Sequence, residues 1–163
     1  MTRVFFDMDG VLAEYKETEL ENLYSEGYFR NLKPYTETLK ALQFLSSNPD
    51  FEVYTLSAYL VDSIYALDEK KSWVKQYLGK AKIKSLFLPC GTSKADAVPG
   101  GIKSTDILID DYNLNLRDWE KQAVAIKFLN GINHRHGSWK GLTARNDALD
   151  IMYTVYNASQ KPA

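Results

Sequence analysis

The sequence predicts an α/β fold in which a parallel sheet, built by right-handed crossovers, is covered by helices. Two observations predict it. Short, apolar, β-prone runs alternate with segments of helical periodicity from end to end. Each run is also punctuated by acids, hydroxyls, Pro or Gly, without repeats, low-complexity stretches or linkers, so a single domain over residues 1–163 is expected.

Val4-Phe5-Phe6, stopped by Asp7, reads as the first buried strand. Residues 36–47, TETLKALQFLSS, carry Leu39, Leu42 and Phe44-Leu45 at helical spacing. Thr36 is the expected N-cap, and Asn48-Pro49-Asp50 breaks this helix. FEVYTLS then gives a second strand, ending at Ser57. Ile64, Leu67, Trp73-Val74 and Tyr77-Leu78 place a helix over 62–78, closed by Gly79. IKSLFL before Pro89, DILI at 106–109 and AVAIKFL before Asn130-Gly131 supply three more strands. A last amphipathic helix is expected over roughly 144–156, with NASQKPA as a frayed tail. The Glu- and Tyr-rich stretch from Glu14 to Lys33 breaks this rhythm and is expected to be a small helical insertion over the strand ends.

The bulk numbers narrow the function classes. At 45% hydrophobic and 25% charged the composition is that of an ordinary globular chain. A net charge of −1 argues against an extended nucleic-acid surface. The single cysteine, Cys90, rules out an internal disulfide and fits a reducing compartment. No apolar run reaches the ~18 residues of a membrane span, and nothing after Met1 reads as a signal peptide, so a cytoplasmic protein is expected.

Ligands of open parallel sheets bind beyond the carboxyl ends of the strands. Those ends carry Asp7 and Asp9, Ser57, the loop with Lys94, and Asp110-Asp111. Several carboxylates in one crevice raise each other's pKa unless a cation neutralises them, and Mg²⁺ suits a site of few carboxylates, waters and phosphate oxygens. A hydroxyl and a lysine are customary partners of phosphate. One carboxylate can attack phosphorus, while another two residues away passes the proton. Thr55 is the rival hydroxyl to Ser57, and Lys103 the rival lysine to Lys94. An EF-hand reading of DMDGVLAEYKET fails, because Val11, Ala13 and Thr18 occupy ligand positions. His134 and His136 are expected at the surface and not at a zinc site.

DMDGVL resembles the first motif of the haloacid dehalogenase-like phosphatases, EVYTLSA the second, TSKAD the third and DILIDD the fourth. Within that superfamily the chain is most similar to the 5'(3')-deoxyribonucleotidases, through DMDGVLAEY, KKSWVKQYLG and Ser138-Trp139 as well as DILIDD. The resemblance implies a three-layer, Rossmann-like fold with a small cap after the first strand, at about residues 14–33. It implies a Mg²⁺-dependent phosphomonoesterase that hydrolyses nucleoside monophosphates through an aspartyl-phosphate. Asp7 would be the nucleophile and Asp9 the acid/base. The metal would be held by Asp7, Asp110 and the Asp9 carbonyl, with Asp111 in support. Ser57 and Lys94 would bind the phosphate, and Tyr15 would stack on the base. The insertion is shorter than in the mammalian-type enzymes, and AYLV follows Ser57 where they have Ser-Pro and then lysine. Sugar phosphates, polynucleotide ends and phosphoproteins therefore stand as alternative substrates, and a non-catalytic phosphate-binding module as the alternative function.

Overall fold

Alternation of apolar side chains along the central strands divides the core into two layers, one on each face of a six-stranded sheet. The computed structural model describes residues 1–132 and 139–160. His134, His136 and Ser138, named above, lie outside the described residues.

The strands are β1 (Thr2–Phe6), β2 (Phe51–Tyr59), β3 (Ile83–Pro89), β4 (Ile107–Asp110), β5 (Val124–Leu129) and β6 (Leu142–Arg145). The helices are α1 (Thr36–Ser47), α2 (Ala66–Leu78), α3 (Asn113–Trp119) and α4 (Ala148–Ser159). Spatial order is β3-β2-β1-β4-β5-β6, with every neighbouring pair parallel. Strand order thus reverses direction between β1 and β4, so the crevice of the sheet opens there.

Val4 and Phe6 of β1 join Ile107 and Ile109 of β4 in the layer under α1, α2 and α4. Phe5 points the other way, with Leu108, into the layer under α3. It stacks on Tyr54 at 4.7 Å and meets the edge of Trp119 at 5.2 Å. Contacts of this geometry add roughly 0.5–1.5 kcal/mol each beyond area burial. Period-2 alternation with both faces buried is what the near-continuous apolar runs require. The result is the three-layer α/β arrangement expected.

Several boundaries differ from the sequence reading. Tyr35, not Thr36, flanks α1 at its start, and neither side chain caps it; Thr36 is already helical. The helix expected from 62 begins at Ala66, because Ser63 Oγ accepts from the Ala66 N–H and Ile64 faces solvent. β2 runs two residues past Ser57, and β3 includes Pro89, which an edge strand tolerates. The stretch assigned to the last helix divides into β6 and α4, the latter capped by the Asp147 carboxylate on the Asp150 N–H. α4 extends to Ser159, into the first three residues of the expected tail. α3 and β6 were not expected at all. Between β1 and α1 the Glu14 N–H bonds to the Lys33 carbonyl at 2.7 Å, and a short 3-10 helix spans Leu20–Tyr24.

Candidate active site

β1 ends at Phe6, so Asp7 is the first residue beyond it, and its N–H continues the ladder to the Ile109 carbonyl at 2.9 Å. β4 ends at Asp110, the neighbouring strand. The reversal of strand order thereby sets the two carboxylates side by side. Lys94, from the β3–β4 crossover, is buried between them and reaches Asp7 Oδ1 and Asp110 Oδ2, each at 2.7 Å. Lys103 lies elsewhere: its N–H donates to Asp106, and its side chain is exposed.

The Asp110 carboxylate also accepts from the Tyr112 N–H at 2.8 Å and from Asn115 Nδ2 at 3.0 Å. Asp111 accepts from Asn130 Nδ2 at 2.6 Å. Carboxylate oxygens of Asp7, Asp110 and Asp111 lie within 4.8 Å of one another. Burial pushes the Asp7 carboxyl up to about 7, against the opposing pull of Lys94, while Asp110, Asp9 and Asp111 push the same way as burial. Burial would depress the Lys94 ammonium, but Asp110 and Asp7 outweigh it and hold it charged. Three buried carboxylates so close to one another form a donor set that suits a hard divalent cation.

Gly10 makes the first loop possible. Its φ is +81°, and a Cβ there would stand 2.3 Å from Asp111 Oδ2 and 2.8 Å from Asn130 Nδ2. Only glycine combines that backbone with that approach.

The Asp9 side chain is not part of the three-carboxylate cluster. It pairs with Lys70 of α2, a residue that sequence reasoning did not single out. The Lys70 ammonium, 1% exposed, donates to Asp9 Oδ2, to Ser57 Oγ at 3.1 Å and to the Ala58 carbonyl at 2.5 Å. Ser57 is thus joined to Asp9 through one lysine, while the buried Thr55 hydroxyl has no hydrogen-bond partner among the described residues. The signal for Lys70 was KKSWVKQYLG itself, which it opens. Helical periodicity marks Trp73 and Val74 as core, but it cannot say that a lysine faces inward.

Asp9, Lys70 and Ala58 line a cavity of about 180 Å³ together with Tyr15, Leu23 and Phe29. Cys90, Tyr59 and Leu60 complete it. Burial, then the nearby Asp9, raises the pKa of the Tyr15 phenol. A larger cavity of about 510 Å³ lies at the amino edge of the sheet, between Gln43, Ser46 and Lys80. No carboxylate lines it, whereas Asp9 lines the smaller one.

Residues 14–155 match the family model "5' nucleotidase, deoxy (Pyrimidine), cytosolic type C protein". A putative 5'(3')-deoxyribonucleotidase of Vibrio phage KVP40 is 32% identical over 97 residues, covering 52% of this chain and 56% of that protein. The cytosolic-type 5'(3')-deoxyribonucleotidase of Homo sapiens is 31% identical over 85 residues, covering 52% of this chain and 38% of that protein. Both alignments thus span less than two thirds of the relative's length. Among solved structures, that of a Pnkp1/Rnl/Hen1 complex superposes with a TM-score of 0.56 at 14% identity, over 77% of this chain and 45% of that one. That likeness concerns the fold alone. No helix among the described residues is long and apolar enough to cross a membrane.

Proposed function

The chain belongs to the family of cytosolic type C 5' nucleotidases, and we propose that it is a phosphomonoesterase acting on nucleoside monophosphates through an aspartyl-phosphate on Asp7. The observation that carries this is the pairing of Asp7 and Asp110 across one buried ammonium, with Asp9 held beside them by a second.

In this reading an Asp7 carboxylate oxygen attacks phosphorus, and the bond from phosphorus to the leaving alcohol oxygen breaks. The Asp9 carboxyl gives that oxygen its proton. Asp9 then takes a proton from water, which attacks the same phosphorus and releases inorganic phosphate from Asp7. Lys94 and the Ser57 hydroxyl hold the phosphoryl oxygens. Lys70 contacts both Ser57 and Asp9, so its ammonium orients the acid/base relative to the bound phosphate. Asp7 and Asp110, with the Asp9 carbonyl and Asp111 in support, would hold Mg²⁺, and the buried three-carboxylate cluster fits such an ion. When bound, it supplies positive charge against the phosphoryl oxygens.

Residues 14–33 serve as the cap of this domain, with Tyr15 on the cavity wall where a base would stack. A cytoplasmic setting belongs to the same proposal, supported by the cytosolic type of the human relative.

The test is a panel of phosphate esters with purified protein and Mg²⁺. Preferred release of phosphate from nucleoside monophosphates is the expected result. Preference for a sugar phosphate, a polynucleotide end or a phosphoprotein would contradict the substrate assignment, and tight nucleotide binding without turnover would contradict catalysis.

A further inference from the structure

Glu69 of α2 is a carboxylate buried to 4% exposure on the inward side of its helix, where an apolar residue would ordinarily sit. A buried charge persists only when it is paired and hydrogen-bonded. Its partners all lie in the segment between β1 and α1. The N–H groups of Gly27, Phe29 and Arg30 donate to it at 2.5, 3.1 and 3.3 Å. The half-exposed Arg30 guanidinium stands at 3.5 Å. One helical turn on, Trp73 Nε1 donates to the Leu32 carbonyl at 2.7 Å. The i and i+4 positions of α2 therefore grip residues 27–32 with an acceptor and a donor.

What this grip places is part of the lining of the cavity beside Asp9. Phe29 is buried, lines the cavity, and sets its ring 4.6 Å from Lys70 Nζ. Lys70 has its own bonds to Asp9, Ser57 and Ala58, none of which involves Glu69. The hydrogen bonds of Lys70 thus stand without the latch, whereas the placement of Phe29 depends on it.

We propose that Glu69 is a positioning residue that docks the 27–30 turn onto α2 and so shapes the wall that meets the organic part of the substrate. The proposal rests on the phosphomonoesterase reading above. It assigns discrimination between esters to a residue that touches neither phosphate nor metal.

The experiment uses the full chain with Mg²⁺ and two substrates, a deoxyribonucleoside 5'-monophosphate and glycerol 2-phosphate, whose small alcohol cannot reach the wall. Two variants break the latch from opposite sides. Glu69→Gln turns an NH₂ toward backbone donors. Gly27→Ala strains the donor turn, since φ is +85° and a Cβ would stand 2.8 Å from Asn31 Nδ2. In folded variants, kcat/KM for the nucleotide should fall roughly tenfold or more, mostly through KM, with glycerol 2-phosphate within about twofold of wild type. Equal losses on both esters, or no loss on either, would overturn the proposal. So would loss of cooperative thermal unfolding in both variants, which would make the latch a folding element only. A wild-type protein that turns over neither ester would instead defeat the phosphomonoesterase reading, before any variant is compared.

Discussion

Asp7 and Asp9 lie two positions apart, yet they reach different partners: Asp7 faces Lys94 and Asp110, and Asp9 faces Lys70. The turn at Gly10, directly after them, packs against Asp111 and Asn130. Gly10→Ala should therefore cost about 1–3 kcal/mol of stability and most of the activity, read by thermal unfolding and phosphate release. Unchanged stability would mean that the loop has room the geometry denies. Lys70→Met keeps the buried stem and removes the ammonium from Asp9 and Ser57. Its expected effect is a fall of roughly 10²-fold in kcat with the fold retained. Wild-type turnover in that variant would separate Lys70 from the chemistry. Asp7, Asp9 and Asp110 could be picked out in the sequence because strand ends are marked there by an abrupt change from apolar to polar, and Lys94 from its loop after the third strand and the TSKAD motif. Lys70 could not, since a helix carrying several lysines gives no sign of which one turns inward.

At the scale of elements, α2 does more than cover the sheet. Its inward face carries Glu69, Lys70 and Trp73, which bind the 27–32 segment, the Asp9 carboxylate and the Leu32 carbonyl. Trp73→Phe keeps most of the packing but leaves that carbonyl without its indole donor. It should lower stability by about 1–3 kcal/mol, measured as a shifted denaturation midpoint at unchanged slope. A midpoint equal to wild type would show that the carbonyl finds another donor. β1 to β5 and the long helices were legible from apolar runs and periodicity, because their burial is nearly one-sided or complete. α3 is only seven residues long, and its apolar spacing was hidden by the polar NLNLRD preceding Trp119. β6 has four residues with a single fully buried side chain, Ala144, so its sequence carries almost no strand signal. The insertion was legible only as a break in rhythm: its structure depends on contacts with α2 more than 35 residues away in sequence, with separations of 39 to 42 for the Glu69 bonds.

Over the whole molecule, the order β3-β2-β1-β4-β5-β6 converts two distant strand ends into one site. The negative charge gathered there should make stability depend on a divalent cation. Adding Mg²⁺ to metal-free protein should raise the unfolding midpoint, and chelation should abolish turnover. Asp110→Asn should lose most of that response; a full response in this variant would move the metal away from the β1–β4 crevice. The central claim is that Asp7 carries the phosphoryl group, and rapid quenching with ³²P-labelled nucleotide tests it most directly. Wild-type protein should show acid-stable, hydroxylamine-labile label during turnover, and Asp7→Asn should show neither label nor phosphate release while unfolding as cooperatively as wild type. Normal phosphate release by Asp7→Asn would contradict the account.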